Sequence, residues 1–82
     1  MKVDFFSPEC LIFQAEANEV HVPGDQSCFT ILPNHAPVLS PLSAGTVRIV
    51  TLQDEQQWSI ESGFIDIHDN QISIVGVEVK LL

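Results

Sequence analysis

Val20-His21-Val22-Pro23-Gly24, then Asp25-Gln26-Ser27-Cys28-Phe29-Thr30-Ile31-Leu32, then Pro33-Asn34-His35-Ala36-Pro37-Val38-Leu39-Ser40-Pro41-Leu42, closing on Gly45-Thr46-Val47-Arg48, is the stretch that decides the fold. It holds four of the chain's five prolines and two of its four glycines. An interior proline removes a backbone donor and clashes with the preceding turn, so helix cannot run through this segment. The residue before each proline is pushed towards extended geometry. The segment therefore reads as extended chain folded at fixed corners, with a polar loop from Asp25 to Asn34.

The same reading extends outward. Met1 to Phe6 alternates, with Val3 and Phe5 opposed to Lys2 and Asp4, which is the period of a half-buried strand. Cys10 to Glu19 is ambiguous. Ser7-Pro8-Glu9 resembles a helix start, with a cap, a proline and an acid in the first turn. The short apolar run after it fits helix or strand equally, and only its β-like surroundings favour strand. Val38 to Leu42 is extended, and Pro41 argues for an edge position. Gly45 opens the clearest strand, with Thr46, Arg48 and Val50 on one face and Val47, Ile49 and Thr51 on the other. Gln53 to Gln56 reads as a turn, Trp58 and Ile60 as core-phased, and Gly63 as a break before Phe64, Ile65 and Ile67. The five phenylalanines fall mostly at core-phased positions. His68-Asp69-Asn70 is a hairpin signal. Ile72 to Val79 closes the chain as one strand or two. Eight to ten short strands with turns about every ten residues mean an all-β sandwich or barrel.

Composition bounds the function. Eighty-two residues, 45% of them hydrophobic, make one domain near the lower size limit for a single core. The net charge of −8 sets eleven acids against Lys2, Arg48 and Lys80. That balance excludes nucleic acid as a partner and disfavours anionic lipid. A basic protein surface is its complement. No signal peptide and no apolar run of ~18 residues is read in the chain. Cys10 and Cys28 define no disulfide framework, and reduced thiols in a cytosolic chain are expected.

Nothing assembles an active site. Cys28 and His35 suggest a thiol–imidazole pair, but no third residue supports it. His21, His35 and His68 lack the paired spacing of a metal site. Of the glycines, three are read at corners and Gly76 in the last strand, and none makes a phosphate loop. No cofactor, metal or catalytic residue is assigned. Residues 33 to 42 remain, where three prolines stand among Ala36, Val38, Leu39 and Leu42. Packing at the rim of a sandwich explains them as well as a preorganised contact site does.

At these residues the chain resembles the epsilon subunit of the F-type ATP synthase, called delta in mitochondria. Val20-His21-Val22-Pro23-Gly24 is similar to the family's Val-x-Leu-Pro-Gly turn. Leu32-Pro33-Asn34-His35-Ala36-Pro37-Val38-Leu39 is similar to its Leu-Pro-Gly-His-Ala-Pro-Leu-Leu segment. Leu42, Gly45, Val47, Arg48 and Ile49 match its Leu-x-x-Gly-x-Val-Arg-Ile strand. Gly63-Phe64 and Asn70-Gln71-Ile72-Ser73-Ile74 match its later strands. The resemblance covers essentially the whole chain. Two departures stand out: Cys28 replaces an acid usual in the family's loop, and Asn34 replaces a glycine.

The resemblance implies a ten-stranded flattened β-sandwich over residues 1–82. It implies a non-catalytic rotor subunit of the central stalk, a monomer within a hetero-oligomer, that couples ion translocation to ATP synthesis. Its partners would be the gamma subunit and the polar loops of the membrane c-ring, at the cytoplasmic face of a bacterial plasma membrane. By position, Asp25, Gln26, Ser27, Cys28, Phe29, Asn34 and His35 are expected to face the c-ring, and Leu39, Ser40, Pro41 and Leu42 to lie against gamma. The family's C-terminal two-helix domain is expected to be absent, so helix-mediated inhibition of ATP hydrolysis is not expected. Two other readings stay open: a free-standing sandwich that binds a peptide or sugar on an aromatic platform, and a small metal- or thiol-dependent enzyme.

Overall fold

Alternation of inward and outward residues sets most strands of this chain, and two sheets bury their inward apolar sides against each other. The computed structural model describes residues 1–24 and 27–82. Among them are ten strands and no helix: β1 (Lys2–Phe6), β2 (Leu11–Glu16), β3 (Glu19–Pro23), β4 (Cys28–Ile31), β5 (Val38–Leu42), β6 (Gly45–Val50), β7 (Glu55–Ile60), β8 (Ser62–His68), β9 (Gln71–Val77) and β10 (Lys80–Leu81). One sheet has the order β2-β1-β9-β8-β5, the other β10-β7-β6-β3-β4. All neighbouring pairs are antiparallel except β1 and β9.

The core lies between the sheets. Val3 and Phe5 of β1, Val20 and Val22 of β3, Val47 and Ile49 of β6, and Ile72 and Ile74 of β9 are buried at every second position. This is the inward half of a period-two pattern. No polar or charged residue is buried among the described residues. Trp58 of β7 is only 4% exposed. Phe5 meets it edge-on at 5.0 Å between ring centroids, and Phe13 meets it at 5.1 Å.

The ambiguous segment is strand. Ser7 caps a turn, as a helix start would have it, but the turn closes a hairpin. Its Oγ accepts from the amides of Glu9 and Cys10 at 3.3 and 3.2 Å, while Ser7 N donates to Cys10 O at 2.8 Å. The next six residues then pair with β1, with Phe5 opposite Phe13 and a bulge between Phe5 and Phe6. Pairing of a whole strand outweighs a weak local helix preference.

Two further expectations are corrected. The break after β7 falls at Glu61, whose amide donates to Val77 O at 2.9 Å, and Gly63 lies inside β8, opposite Gly76. Gly63 serves close approach: a Cβ there would stand 2.2 Å from Val75 O. The turn before β7 spans residues 51–54, closed by Thr51 N donating to Asp54 O at 2.8 Å, so Glu55 and Gln56 already belong to the strand. The phenylalanines fall mostly inward as expected, with Phe5 buried and Phe13 and Phe29 packed against the core, while Phe64 points outward and is 59% exposed. The edge reading of Val38 to Leu42 holds, with β5 ending its sheet and Pro41 in it. Asp69 and Asn70 take φ of 50° and 60°, the two positive angles of a tight hairpin turn.

Candidate functional site

Strand direction sorts the expected contact residues before any side chain is considered. Pro23 pairs with Cys28 at one end of the β3–β4 hairpin, and Val20 pairs with Ile31 towards the other. At the Pro23 end, Ser43 N donates to Pro23 O at 2.9 Å. At the far end, Asn34 N donates to the side chain of Asn70 at 2.9 Å, and Lys2 N donates to Asn70 O at 3.1 Å. Four registered pairs separate the ends, about 10 Å of strand at ~3.3 Å per residue. Ser27 and Cys28 are therefore at the opposite end of the sandwich from Asn34 and His35. Asp25 and Gln26 lie outside the described residues. The expected single surface of loop residues is split in two.

At the first end Ser27 and Cys28 are exposed, and Phe29 turns inward against the core. At the second end Asn34 holds φ 66°, where Asn replaces glycine without great strain. His35 N donates to Leu32 O at 3.2 Å, and its Nδ1 donates to Ala36 O at 2.7 Å. These bonds make His35 a turn residue, remote from Cys28, and leave the thiol–imidazole pair without geometry. His21 is held on its own sheet, with Nδ1 3.0 Å from Thr30 Oγ1 and Nε2 3.2 Å from Glu19 Oε1. No group of three or more His, Cys, Asp or Glu residues with metal-binding geometry occurs among the described residues.

The segment Leu39 to Leu42 is also divided, here by alternation. Leu39 is 76% exposed and Pro41 is exposed, while Leu42 is 4% exposed inside the core and Ser40 is half-buried. Leu42 thus supports the sandwich and cannot meet a partner. Leu39 and Pro41 face outward from an edge strand.

Register carries that outward surface across the sheet. Pro41 stands opposite Phe64, Phe64 opposite Val75, Val75 beside Phe6, and Phe6 opposite Leu11. This apolar row crosses all five strands. The next outward row, ~7 Å away and two residues along each strand (three on β2, across its bulge), is Leu39, Asp66, Ser73, Asp4 and Gln14. Of the nine large hydrophobic residues with substantial exposure among the described residues, five lie on this face: Leu11, Leu39, Phe64, Val75 and Val77. Apolar patches rimmed by polar groups are the kind of surface used to contact proteins, membranes or ligands. The outer face of the other sheet is polar by contrast, with Thr30, His21, Arg48 and Gln57 in one row.

Phe6, Phe64 and Val75 were not among the expected contact residues. Their signal was present in the sequence: Phe64 is out of phase with Ile65 and Ile67, and Val75 with Ile72 and Ile74. An apolar residue on the wrong phase of a strand points away from the core. The aromatic platform of a sugar- or peptide-binding module is not formed, because Trp58 is buried and Phe64 stands among aliphatic residues.

Comparison with known proteins places this geometry. Residues 1–80 match the family model described as ATP synthase, Delta/Epsilon chain, beta-sandwich domain. The ATP synthase epsilon chain of Leptospira interrogans is 40% identical over 75 residues, covering 92% of this chain and 59% of that one. The chain thus spans less than two thirds of that relative's length. The epsilon chain of Chlorobium limicola is 33% identical over 80 residues, covering 96% of this chain and 91% of the relative. A chain of the Euglena gracilis mitochondrial ATP synthase, from a structure of OSCP, F1 and the c-ring, superposes with a TM-score of 0.88 at 17% identity, covering 96% of this chain and 51% of that chain. A chain from the central stalk and c-ring of the Tetrahymena thermophila enzyme gives 0.83 at 14% identity, covering 96% of this chain and 64% of that chain. At those identities the likeness is one of fold.

Proposed function

The chain belongs to the ATP synthase delta/epsilon β-sandwich family, and on that premise we propose that it is a non-catalytic rotor subunit that joins gamma to the c-ring and helps couple ion translocation to ATP synthesis. The outer apolar row from Pro41 to Leu11 carries the reading. A sheet face with that much exposed apolar surface is stabilised by a permanent partner. Gamma is assigned to this face, with Leu39, Pro41 and Phe64 as its contacts. The separate end with Ser27 and Cys28 is assigned to the c-ring loops, and Asp25 and Gln26, which precede them in sequence, are assigned with them. Asn34 and His35 lie at the other end and are not assigned to the c-ring. Two partners at two places on one stiff sandwich suit a part that transmits torque between them.

The remaining assignments follow from this role. The subunit is peripheral, on the cytoplasmic face of a bacterial plasma membrane, and binds no cofactor. Its negative charge favours basic protein surfaces on both partners. Helix-mediated inhibition of hydrolysis is not assigned to residues 1–82.

The test is co-purification with the gamma subunit of the same organism, by size-exclusion with light scattering. A one-to-one complex that is lost with Phe64→Asp or Leu39→Asp is expected. A chain that stays monomeric beside folded gamma would overturn the proposal and leave only a shared fold.

A further inference from the structure

The outer face of the β2-β1-β9-β8-β5 sheet carries two carboxylates next to its apolar row, and they are not equivalent. Asp4 is already satisfied within the chain. Gln14 Nε2 donates to its Oδ1 at 2.6 Å, and Gln71 Nε2 donates to its Oδ2 at 3.3 Å. Asp66 has neither contact. Its side chain is 52% exposed, and its neighbour is His68, with Nδ1 3.5 Å from Asp66 Oδ1. Asp66 stands directly opposite Leu39, two residues from Phe64 on the same outward side of β8. Two strongly exposed apolar side chains therefore flank one accessible carboxylate.

We infer that Asp66 is the specificity-determining residue of this face, accepting a Lys or Arg from the partner between Leu39 and Phe64. The inference rests on the proposal that gamma docks on this face, and it adds the partner's chemistry: an apolar ridge with a cation about one row, ~7 Å, from it. The physical argument is desolvation. When a partner covers Leu39 and Phe64, Asp66 loses water, and a buried charge without a counter-charge is strongly unfavourable. Beside it within the chain stands only the His68 imidazole, a cation only when protonated, while Lys2 lies two strands away, on β1. A partner that brings a permanent cation is favoured over one that does not. Specificity of this kind arises from leaving the wrong partner's interface with an unpaired charge.

The test is the affinity of the 82-residue chain for recombinant gamma, measured by biolayer interferometry at low and high salt, with folding checked by thermal melts. Asp66→Lys is expected to weaken binding about a hundredfold and Asp66→Asn about tenfold, the range for a close interfacial charge pair. Asp66→Asn should also flatten the salt dependence. Replacing the paired gamma Lys or Arg with Glu should restore binding to Asp66→Lys. Wild-type affinity in both Asp66 variants, with loss of binding in Phe64→Asp, would overturn the assignment of Asp66 and keep the docking face. Wild-type affinity in Phe64→Asp as well would overturn the docking face itself.

Discussion

Leu39 and Leu42 sit three residues apart in one five-residue strand and should respond to the same substitution in opposite ways. Leu42 is 4% exposed and Leu39 76% exposed. Leu42 is in register with Gly63 and packs in the core cluster. Truncating a buried leucine to alanine costs ~2–5 kcal/mol, from lost transfer energy and the cavity left behind. An 82-residue domain has only ~4–12 kcal/mol of stability in total, at 0.05–0.15 kcal/mol per residue. A loss of ~3 kcal/mol moves the Tm of a domain this size by roughly 12–24 °C. Leu42→Ala is therefore expected to melt at least 10 °C lower, by about that rule, and to bind gamma normally when kept cold enough to fold. Leu39→Ala should leave Tm within about 2–4 °C, since exposed substitutions stay within ~0.5 kcal/mol. It should weaken binding to gamma about ten- to a hundredfold, because burying a leucine side chain is worth ~1.5–3 kcal/mol. Differential scanning calorimetry and an affinity titration on both variants decide the matter. Equal destabilisation by the two, or a larger loss for Leu39→Ala, would refute the alternation of β5 and with it the docking face.

Other variants test the fold independently. Gly63→Ala should cost more than the ~1–3 kcal/mol typical of overpacking, because its Cβ would meet a ladder carbonyl 2.2 Å away, whereas Gly76→Ala meets side chains and should fall within that range; urea melts of the pair give the comparison. Glu78 holds φ 56° between β9 and β10, so Glu78→Gly should raise stability by up to ~1 kcal/mol, as relief of left-handed strain outweighs added chain entropy, and a lower denaturation midpoint would contradict the strained backbone. Trp58 is the only tryptophan and lies against Phe5 and Phe13; its emission should be blue-shifted in the native state, and Trp58→Ala should lose ~3–5 kcal/mol, read as a lowered urea midpoint. Both thiols are exposed, so Ellman's reagent should titrate two equivalents without denaturant, and fewer would place Cys10 or Cys28 inside the fold.

Most of the strand framework was legible in the chain because side-chain alternation is a local property. Val20 to Val22, Thr46 to Val50 and Ile72 to Ile74 show their inward and outward faces in the order of their residues. Pro41 announced an edge by lacking a donor, and Asp69-Asn70 announced a hairpin by tolerating positive φ. Leu11 to Glu16 carried no such local signature. Only a partner strand, β1, chose extended chain over helix there, since a strand's hydrogen bonds are made with distant residues.

The contact surface required still more of the tertiary structure. Sequence proximity grouped Cys28 with His35 and Leu39 with Leu42. Chain direction then sent Cys28 and His35 to opposite ends, and alternation sent Leu39 out and Leu42 in. The row of Pro41, Phe64, Val75, Phe6 and Leu11 spans most of the chain and is joined only by strand register. The sequence alone determined the all-β class, most of the corners and the phase of the strongly alternating strands, because these depend on neighbouring residues and the allowed backbone angles. The tertiary structure alone decided which outward residues form one face, because register between strands is settled by packing of the whole core.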